Sequence, residues 1–189
     1  MLILPNSVVE GNKLTESPRV FRPRFREGLI SAISVGFFFL LIGAIFVVTP
    51  NLFDKIMDFL RDFEFRLLPH TDNIYLPAPL NPYLHVGVYT AVWQFSIVWG
   101  IFQIVILAFR YVVGSPFRKK AETAGNLVFW LGTSYLIGTF RNATSRAPFL
   151  NTTTPLEGWF AFWAMIIILI GISLIARAII LAARFAMTK

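Results

Sequence analysis

The hydrophobic pattern of the chain is dominated by four apolar stretches, at residues 29–49, 86–109, 124–140 and 158–176, which are separated by polar segments. The first stretch has 21 residues and no charged side chain. At a rise of 1.5 Å per residue, a helix of that length measures roughly 31 Å, which matches the hydrocarbon thickness of a bilayer. The pattern therefore predicts four transmembrane helices, of which the third is the shortest.

Residues 51–68, directly after the first predicted span, mix apolar and charged positions at helical spacing. Asn51 follows Pro50 and can cap a helix at this point. The apolar positions that recur at this spacing are Leu52, Phe53, Ile56, Met57, Leu60, Phe63 and Leu67. We expect an external amphipathic helix that lies on the membrane or over the mouth of the bundle. Residues 69–82 contain four prolines and predict irregular backbone.

Residues 1–28 contain three prolines and closely spaced arginines, with no helical or strand period. We expect a flexible, basic cytoplasmic arm, followed by one transmembrane domain over residues 29–187. A basic segment before an apolar run is also typical of a signal peptide. Here the run exceeds the usual apolar core of about 7–15 residues and lacks a small-residue cleavage site, so an uncleaved span is favoured.

Composition supports the membrane interpretation. Hydrophobic residues make up 56% of the chain and charged residues 14%, whereas soluble domains average about 45–50% and about 25%. The charged residues are too few to cover a globular surface. The predicted fold class is therefore an all-α integral membrane protein, a bundle of four transmembrane helices with an external amphipathic helix after the first span. The absence of cysteine excludes disulfides and thiolate metal sites.

The distribution of positive charge predicts the orientation. The net charge is +7, which in a soluble protein would raise nucleic acid as a partner. However, most lysines and arginines lie in the arm, the loop at 110–120 and the tail after residue 176, next to the spans. The positive-inside rule then places both termini in the cytoplasm, with anionic lipid headgroups as partners on that side. We expect a multi-pass protein of the cell membrane that binds no nucleic acid.

Small residues recur along the predicted spans and allow helix backbones to approach closely. An internal packing seam is the favoured interpretation, and an oligomer interface is the alternative. The residues concerned are Ala32, Gly36, Gly43, Ser96, Gly100, Gly125, Gly132, Ser134 and Gly138.

Polar residues within the spans are few. Gln94, Gln103 and Asn126 favour hydrogen bonds between helices, with a ligand or ion path as the alternative. No Asp, Glu, Lys or His lies deep in a predicted span, which argues against a proton-coupled carrier. Arg177 closes the fourth span, and we expect its long side chain to extend to the interface.

The predicted external segment carries acids and histidines that could bind a divalent cation or act as acid and base. They are Asp54, Asp58, Asp62, His70, Asp72 and His85. Lys55, Arg61 and Arg66 lie three or four residues from these acids, so a solvated, salt-bridged helix face is favoured. No catalytic, cofactor-binding or metal-binding residue is therefore assigned. Two glycosylation triplets, at Asn142 and Asn151, fall in the loop predicted to lie outside.

These observations favour a non-enzymatic membrane protein without a cofactor: a scaffold, accessory subunit or oligomerising module. Its partners would be a second copy or another membrane protein. An alternative is an oligomeric channel or carrier for a small solute or ion. A second alternative is a lipid-acting enzyme at the outer surface, which would depend on Asp58, Asp62, His70 and Asp72.

Overall fold

A computed structural model describes residues 23–146 and 155–187, and these residues are mostly helical. The α-helices are α1 (Pro23–Val48), α2 (Leu52–Arg61), α3 (Val86–Val112), α4 (Phe117–Arg146) and α5 (Pro155–Met187). Two strands, β1 (Phe63–Leu67) and β2 (Tyr75–Pro79), and a short 3-10 helix, Pro82–His85, lie between α2 and α3.

Three helical segments are long and apolar enough to cross a bilayer. They are Glu27–Val48 in α1, Pro82–Val112 in α3 with the preceding 3-10 turn, and Leu156–Ala183 in α5. These segments confirm three of the predicted spans as apolar helices. The span predicted at 124–140 is helical as part of α4, but α4 is more polar and is not among the three.

The long helices lie side by side in the order α1, α3, α4, α5, and each runs antiparallel to its neighbour. Near the middle of α1, Phe37 stacks on Phe102 of α3 with ring centroids 3.9 Å apart. Near the start of α1, Glu27 approaches Arg110 at the end of α3, at 3.8 Å. Residues later in α1 therefore contact residues earlier in α3, so the two helices are antiparallel.

The same antiparallel register continues across α4. A Cβ atom at Gly138 would lie 3.0 Å from Trp93 of α3. On its other side α4 meets α5, where Phe140 packs on Phe162 with ring centroids 5.2 Å apart. Gly114, with a positive φ of 71°, makes the tight turn between α3 and α4.

The long helices of the predicted bundle are arranged in a row. Within the part of the chain that the structure describes, α1 packs mainly on α3, and α5 packs mainly on α4. The broad outward faces of α1 and α5 carry exposed aliphatic and aromatic side chains. Because lipid tails solvate such faces as well as other helices do, a membrane protein has no need to close the row.

The helix predicted over residues 51–68 is correct only in its first half. α2 ends at Arg61, and β1 pairs antiparallel with β2, from Phe63 opposite Pro79 to Leu67 opposite Tyr75. From residue 63 onward the apolar and charged side chains alternate with a period of two, which favours a strand. The all-α prediction is therefore wrong here. The irregular backbone predicted for residues 69–82 is confirmed at 69–74 and 80–81 but is wrong at 75–79, which form β2, and at Pro82, which begins the 3-10 helix.

The predicted boundaries shift at other places. Asn51 stands at the N-cap of α2, but it has a left-handed φ of 53° and its side chain makes no capping hydrogen bond. α1 begins at Pro23, so the last residues of the predicted flexible arm are helical. Proline suits the first turn of a helix because backbone N–H groups there have no acceptor within the helix, so the missing N–H of proline costs no hydrogen bond. The rest of the arm, residues 1–22, lies outside the described residues, and so does Asn151.

An aromatic core joins the α2–β1–β2 layer to the ends of the long helices. Ala78 of β2, Tyr89 of α3, Phe140 of α4 and Trp159 of α5 are buried together. The indole N–H of Trp159 donates a hydrogen bond to the carbonyl of Pro77, at 3.2 Å. This layer is therefore fixed to α3, α4 and α5, and it holds the polar side chains that follow.

Candidate functional site

A cavity of about 450 Å³ lies between α2 and the start of α3; we call it the α2 pocket. Its polar lining comes from the charged face of α2 and from the 3-10 helix. The residues that carry it are Lys55, Asp58, Arg61, Asp62 and His85.

Asp62 is the best-connected side chain of the α2 pocket. One carboxylate oxygen accepts a hydrogen bond from the backbone N–H of Asn81, at 2.8 Å. The same oxygen lies 2.9 Å from Nε2 of His85, and the other accepts from the Asn81 side-chain amide, at 3.3 Å. His85 is buried and Asp62 nearly so. These bonds tie the end of α2 to the segment that enters α3.

The same contacts set the pKa of Asp62. Burial by itself raises the pKa, since it penalises the charged carboxylate. The hydrogen bonds from Asn81 and His85 stabilise that charge and outweigh burial, so the pKa lies below its usual value. Asp62 is therefore ionised at neutral pH and contributes a fixed negative charge beside His85.

The chemical capacity of the Asp62–His85 pair is limited. An Asp–His pair can orient an imidazole for general base catalysis. Among the hydrogen bonds of the described residues, however, none joins His85 to a hydroxyl. No group of three His, Cys, Asp or Glu in residues 23–146 and 155–187 could hold a metal ion. The pair therefore serves first as a link between α2 and α3.

The two cations of the α2 pocket, Lys55 and Arg61, have no acidic partner among the residues that the structure describes. Over the described ranges, ion pairs within 4 Å involve neither Lys55 nor Arg61. The predicted salt-bridged face of α2 is therefore wrong. Lys55 reaches instead across the start of α3, where a Cβ atom on Gly87 would lie 3.2 Å from its Cδ. Glycine at position 87 leaves room for the lysine stem to extend over the pocket.

The structure brings together only part of the predicted acid–histidine set. Asp58 and Asp62 line the α2 pocket with His85. Asp54 is exposed on α2 and does not line it. His70 and Asp72 are exposed in the loop between β1 and β2 and do not line it either. The residue set required by the lipid-acting enzyme hypothesis is thus divided between two places.

Sequence reasoning missed Asn81 and Gly87. The Asn81-Pro82 dipeptide signals a turn, but it gives no indication that the turn presents two donors to a carboxylate 19 positions earlier. Gly87 lies at the start of a predicted span, where a glycine carries no distinctive signal. Both roles depend on the β1–β2 pairing, which brings residue 81 back to the end of α2.

Two apolar grooves lie beside the α2 pocket, one on each side of α3. The α1 groove, about 180 Å³, lies between α1, α2 and α3. The α5 groove, about 380 Å³, lies between α3, α4 and α5 under Phe59 of α2. Val88 lines the α2 pocket and both grooves. All three spaces therefore meet at one turn of α3.

The polar residues predicted within the spans do not share a cavity. Asn126 accepts a hydrogen bond from Arg177, whose side chain lies across Gly125. This hydrogen bond joins α4 to α5. Ser134 lines a separate groove between α3 and α4, and Gln94 lines none of the cavities described here.

The fold and the site together indicate the structural class of the protein but not its activity. A mostly helical chain with three helices long and apolar enough to cross a bilayer indicates a multi-pass helical membrane protein. Comparison adds no closer identity: no family model, no curated protein and no solved structure matches the chain.

Proposed function

We propose that the protein is a non-enzymatic membrane module with four spans that assembles with a second copy of itself through α1. The observation that carries the proposal is a difference between glycines. The space beside Gly132 of α4 is occupied by the side chain of Leu169 of α5. A Cβ atom added at Gly36 or Gly43 of α1 would meet no described atom within 4 Å. The small residues of α4 are used in internal packing, and those of α1 remain free for another helix.

The fourth span is supported by the contacts of α4. Gly125 near its start meets Arg177, and Phe140 near its end packs on Phe162, both in α5. α4 therefore runs beside a strongly apolar helix over the whole predicted span. Its polar residues Thr133 and Ser134 are buried against the neighbouring helices. Because neighbouring helices shield these polar groups from lipid, a helix of modest hydropathy can still cross the bilayer.

The orientation is supported by where the charges fall. The antiparallel row brings the start of α1, the α3–α4 turn and the end of α5 to one end. The exposed basic residues Arg118 and Lys119 lie at that end, while α2 and its acids lie at the other. The positive-inside rule then places the first end in the cytoplasm, facing anionic lipid headgroups.

Cysteine crosslinking tests the assembly directly, because the native chain has no cysteine. We expect Gly36→Cys and Gly43→Cys to give disulfide-linked dimers in native membranes. Gly171→Cys on α5 is the matched control: position 171 is also open, but it is a single glycine, whereas Gly36 and Gly43 lie two turns apart on one face of α1. This variant should remain monomeric. Equal crosslinking at all three positions, or none together with monomeric migration in native gels, would contradict the proposal.

The channel and enzyme alternatives receive less support. Gln94, Asn126 and Ser134 share none of the four cavities described above among residues 23–146 and 155–187. The Asp62–His85 pair does lie near two apolar grooves, which is the one observation that favours a lipid-acting enzyme. Turnover of a membrane lipid extract that is lost in Asp62→Ala, measured by mass spectrometry, would favour the enzyme over the module.

A further inference from the structure

We propose that the α2 pocket and the two grooves bind one phospholipid molecule, with its phosphate in the pocket and one acyl chain in each groove. The site is independent of the α1 interface proposed above. It combines a polar cavity with two apolar ones at a single point of the fold.

The charges of the α2 pocket suit a phosphodiester. Lys55 and Arg61 line the pocket and form no ion pair with the acids of the described chain. Two acids, Asp58 and Asp62, line the same pocket, and the carboxylate of Asp62 is engaged by Asn81 and His85. Two unpaired cations beside a cavity can form charge-assisted hydrogen bonds with phosphate oxygens.

The grooves suit hydrocarbon chains. The α1 groove is lined by aliphatic and aromatic residues, among them Ile45, Ile56 and Phe95. The α5 groove has an aromatic lining that includes Trp130 and Trp159. The α1 groove descends along α3 from Val88 to Phe95, seven residues or roughly 10 Å of helix. The α5 groove follows α4 from Phe140 to Phe129, eleven residues or roughly 16 Å. Each groove can therefore hold the first part of an acyl chain.

The arrangement around Val88 matches the branching of a glycerolipid. Val88 lines the pocket and both grooves, so the three spaces adjoin this residue, and the proposal places the glycerol beside it. A free phosphate would occupy the pocket and leave the grooves unused. A single-chain amphiphile would fill only one of them. A two-chain phospholipid fills all three.

The surroundings favour a lipid taken from the bilayer. Residues on the groove walls are partly exposed at the apolar surface of the row: Phe46 and Val92 on the α1 side, and Trp163 of α5. A lipid can therefore enter sideways and leave the far ends of its chains in the membrane. No path through water is required.

Native mass spectrometry of the detergent-solubilised full chain tests the proposal, with dioleoylphosphatidylglycerol as the added probe. We expect one tightly retained lipid per chain. The double variant Lys55→Gln, Arg61→Gln should lower the apparent affinity about tenfold or more, because it removes both charge-assisted contacts. Arg66→Gln is the matched control: Arg66 is exposed on β1 and does not line the pocket.

Further probes separate the parts of the site. Ala91 is buried in the α1 groove, so Ala91→Leu should weaken binding of the two-chain lipid more than of its single-chain lysophospholipid. Inorganic phosphate should fail to displace the lipid. Phosphate competition would reassign the pocket to a soluble anion.

Thermal melting of each variant distinguishes loss of binding from loss of fold. The proposal is supported if the double variant melts within a few degrees of Arg66→Gln and retains less lipid. It is overturned if both retain the lipid equally. If the double variant unfolds, Ala91→Leu decides: unchanged selectivity between two-chain and one-chain lipids overturns the proposal.

Discussion

At the scale of single residues, the carboxylate of Asp62 joins segments that are distant in the sequence. It accepts hydrogen bonds from Asn81 and lies 2.9 Å from His85. Replacing the carboxylate with an amide of the same shape keeps the volume and removes the charge. The contribution of these bonds can therefore be measured with one substitution.

We expect Asp62→Asn to lower the free energy of unfolding by about 1–3 kcal/mol at neutral pH, the range for hydrogen bonds to a charged group. Because the pKa of Asp62 is lower in the folded than in the unfolded state, its stabilisation is present above the unfolded value of about 3.9. That stabilisation is lost as the pH falls through the lower, folded pKa.

The difference between wild type and Asp62→Asn should therefore be constant near neutral pH and shrink in acid. Denaturant unfolding in detergent, repeated across pH, measures it. Asp58→Asn is the control, since Asp58 is an exposed acid on the same helix. A pH-independent difference would show that Asp62 acts through packing and not through its charge.

The sequence could predict which residues were candidates at this scale but not which of them meet. Asp62 and His85 were both recognised as candidates, yet their pairing depends on a chain reversal between residues 63 and 79. Ion pairs at helical spacing were expected for Lys55 and Arg61, and they are absent from the described contacts. Local spacing permits such pairs, but exposed side chains gain little from forming them.

At the scale of elements, α2 is attached to the rest of the protein through the face that carries Phe59. Phe59 packs edge-on against Phe63, His85, Tyr89 and Trp159. Phe53, on the same helix, is 64% exposed. Truncating each phenylalanine in turn therefore distinguishes the loss of the aromatic contacts that anchor α2 from a general loss of apolar surface on the helix.

We expect Phe59→Ala to detach α2 and to destabilise the protein by up to about 3–5 kcal/mol, the range for fully buried aromatic truncations, since Phe59 is partly buried. Hydrogen exchange should speed up in α2 and in the β1–β2 pair first, because both pack on this cluster. Phe53→Ala should change neither. Equal protection of α2 in the two variants would mean that the aromatic cluster does not anchor the helix.

The long helices were predictable because charge-free runs of about 20 apolar residues have few alternatives. The β1–β2 pair was not, since residues 63–67 continue an amphipathic helical pattern and their alternation is only five residues long. The strand forms because residues 75–79 are available as a partner. Such pairing is a tertiary property that a local pattern does not contain.

At the scale of the whole molecule, the proposed four spans depend on α4. Three helices are apolar enough to cross a membrane on their own properties. α4 is more polar, and its place in the membrane is inferred from its antiparallel contacts with α3 and α5. The proposed location of both termini on one side of the membrane follows from that placement.

Accessibility of single cysteines at the two ends of α4 tests this placement most directly. Arg118 and Ser145 are both exposed and lie near the start and the end of the helix. In intact cells, a membrane-impermeant maleimide should label Ser145→Cys and leave Arg118→Cys unlabelled until the membrane is opened. Labelling of both positions from the same side would place α4 outside the bilayer and contradict the four-span account.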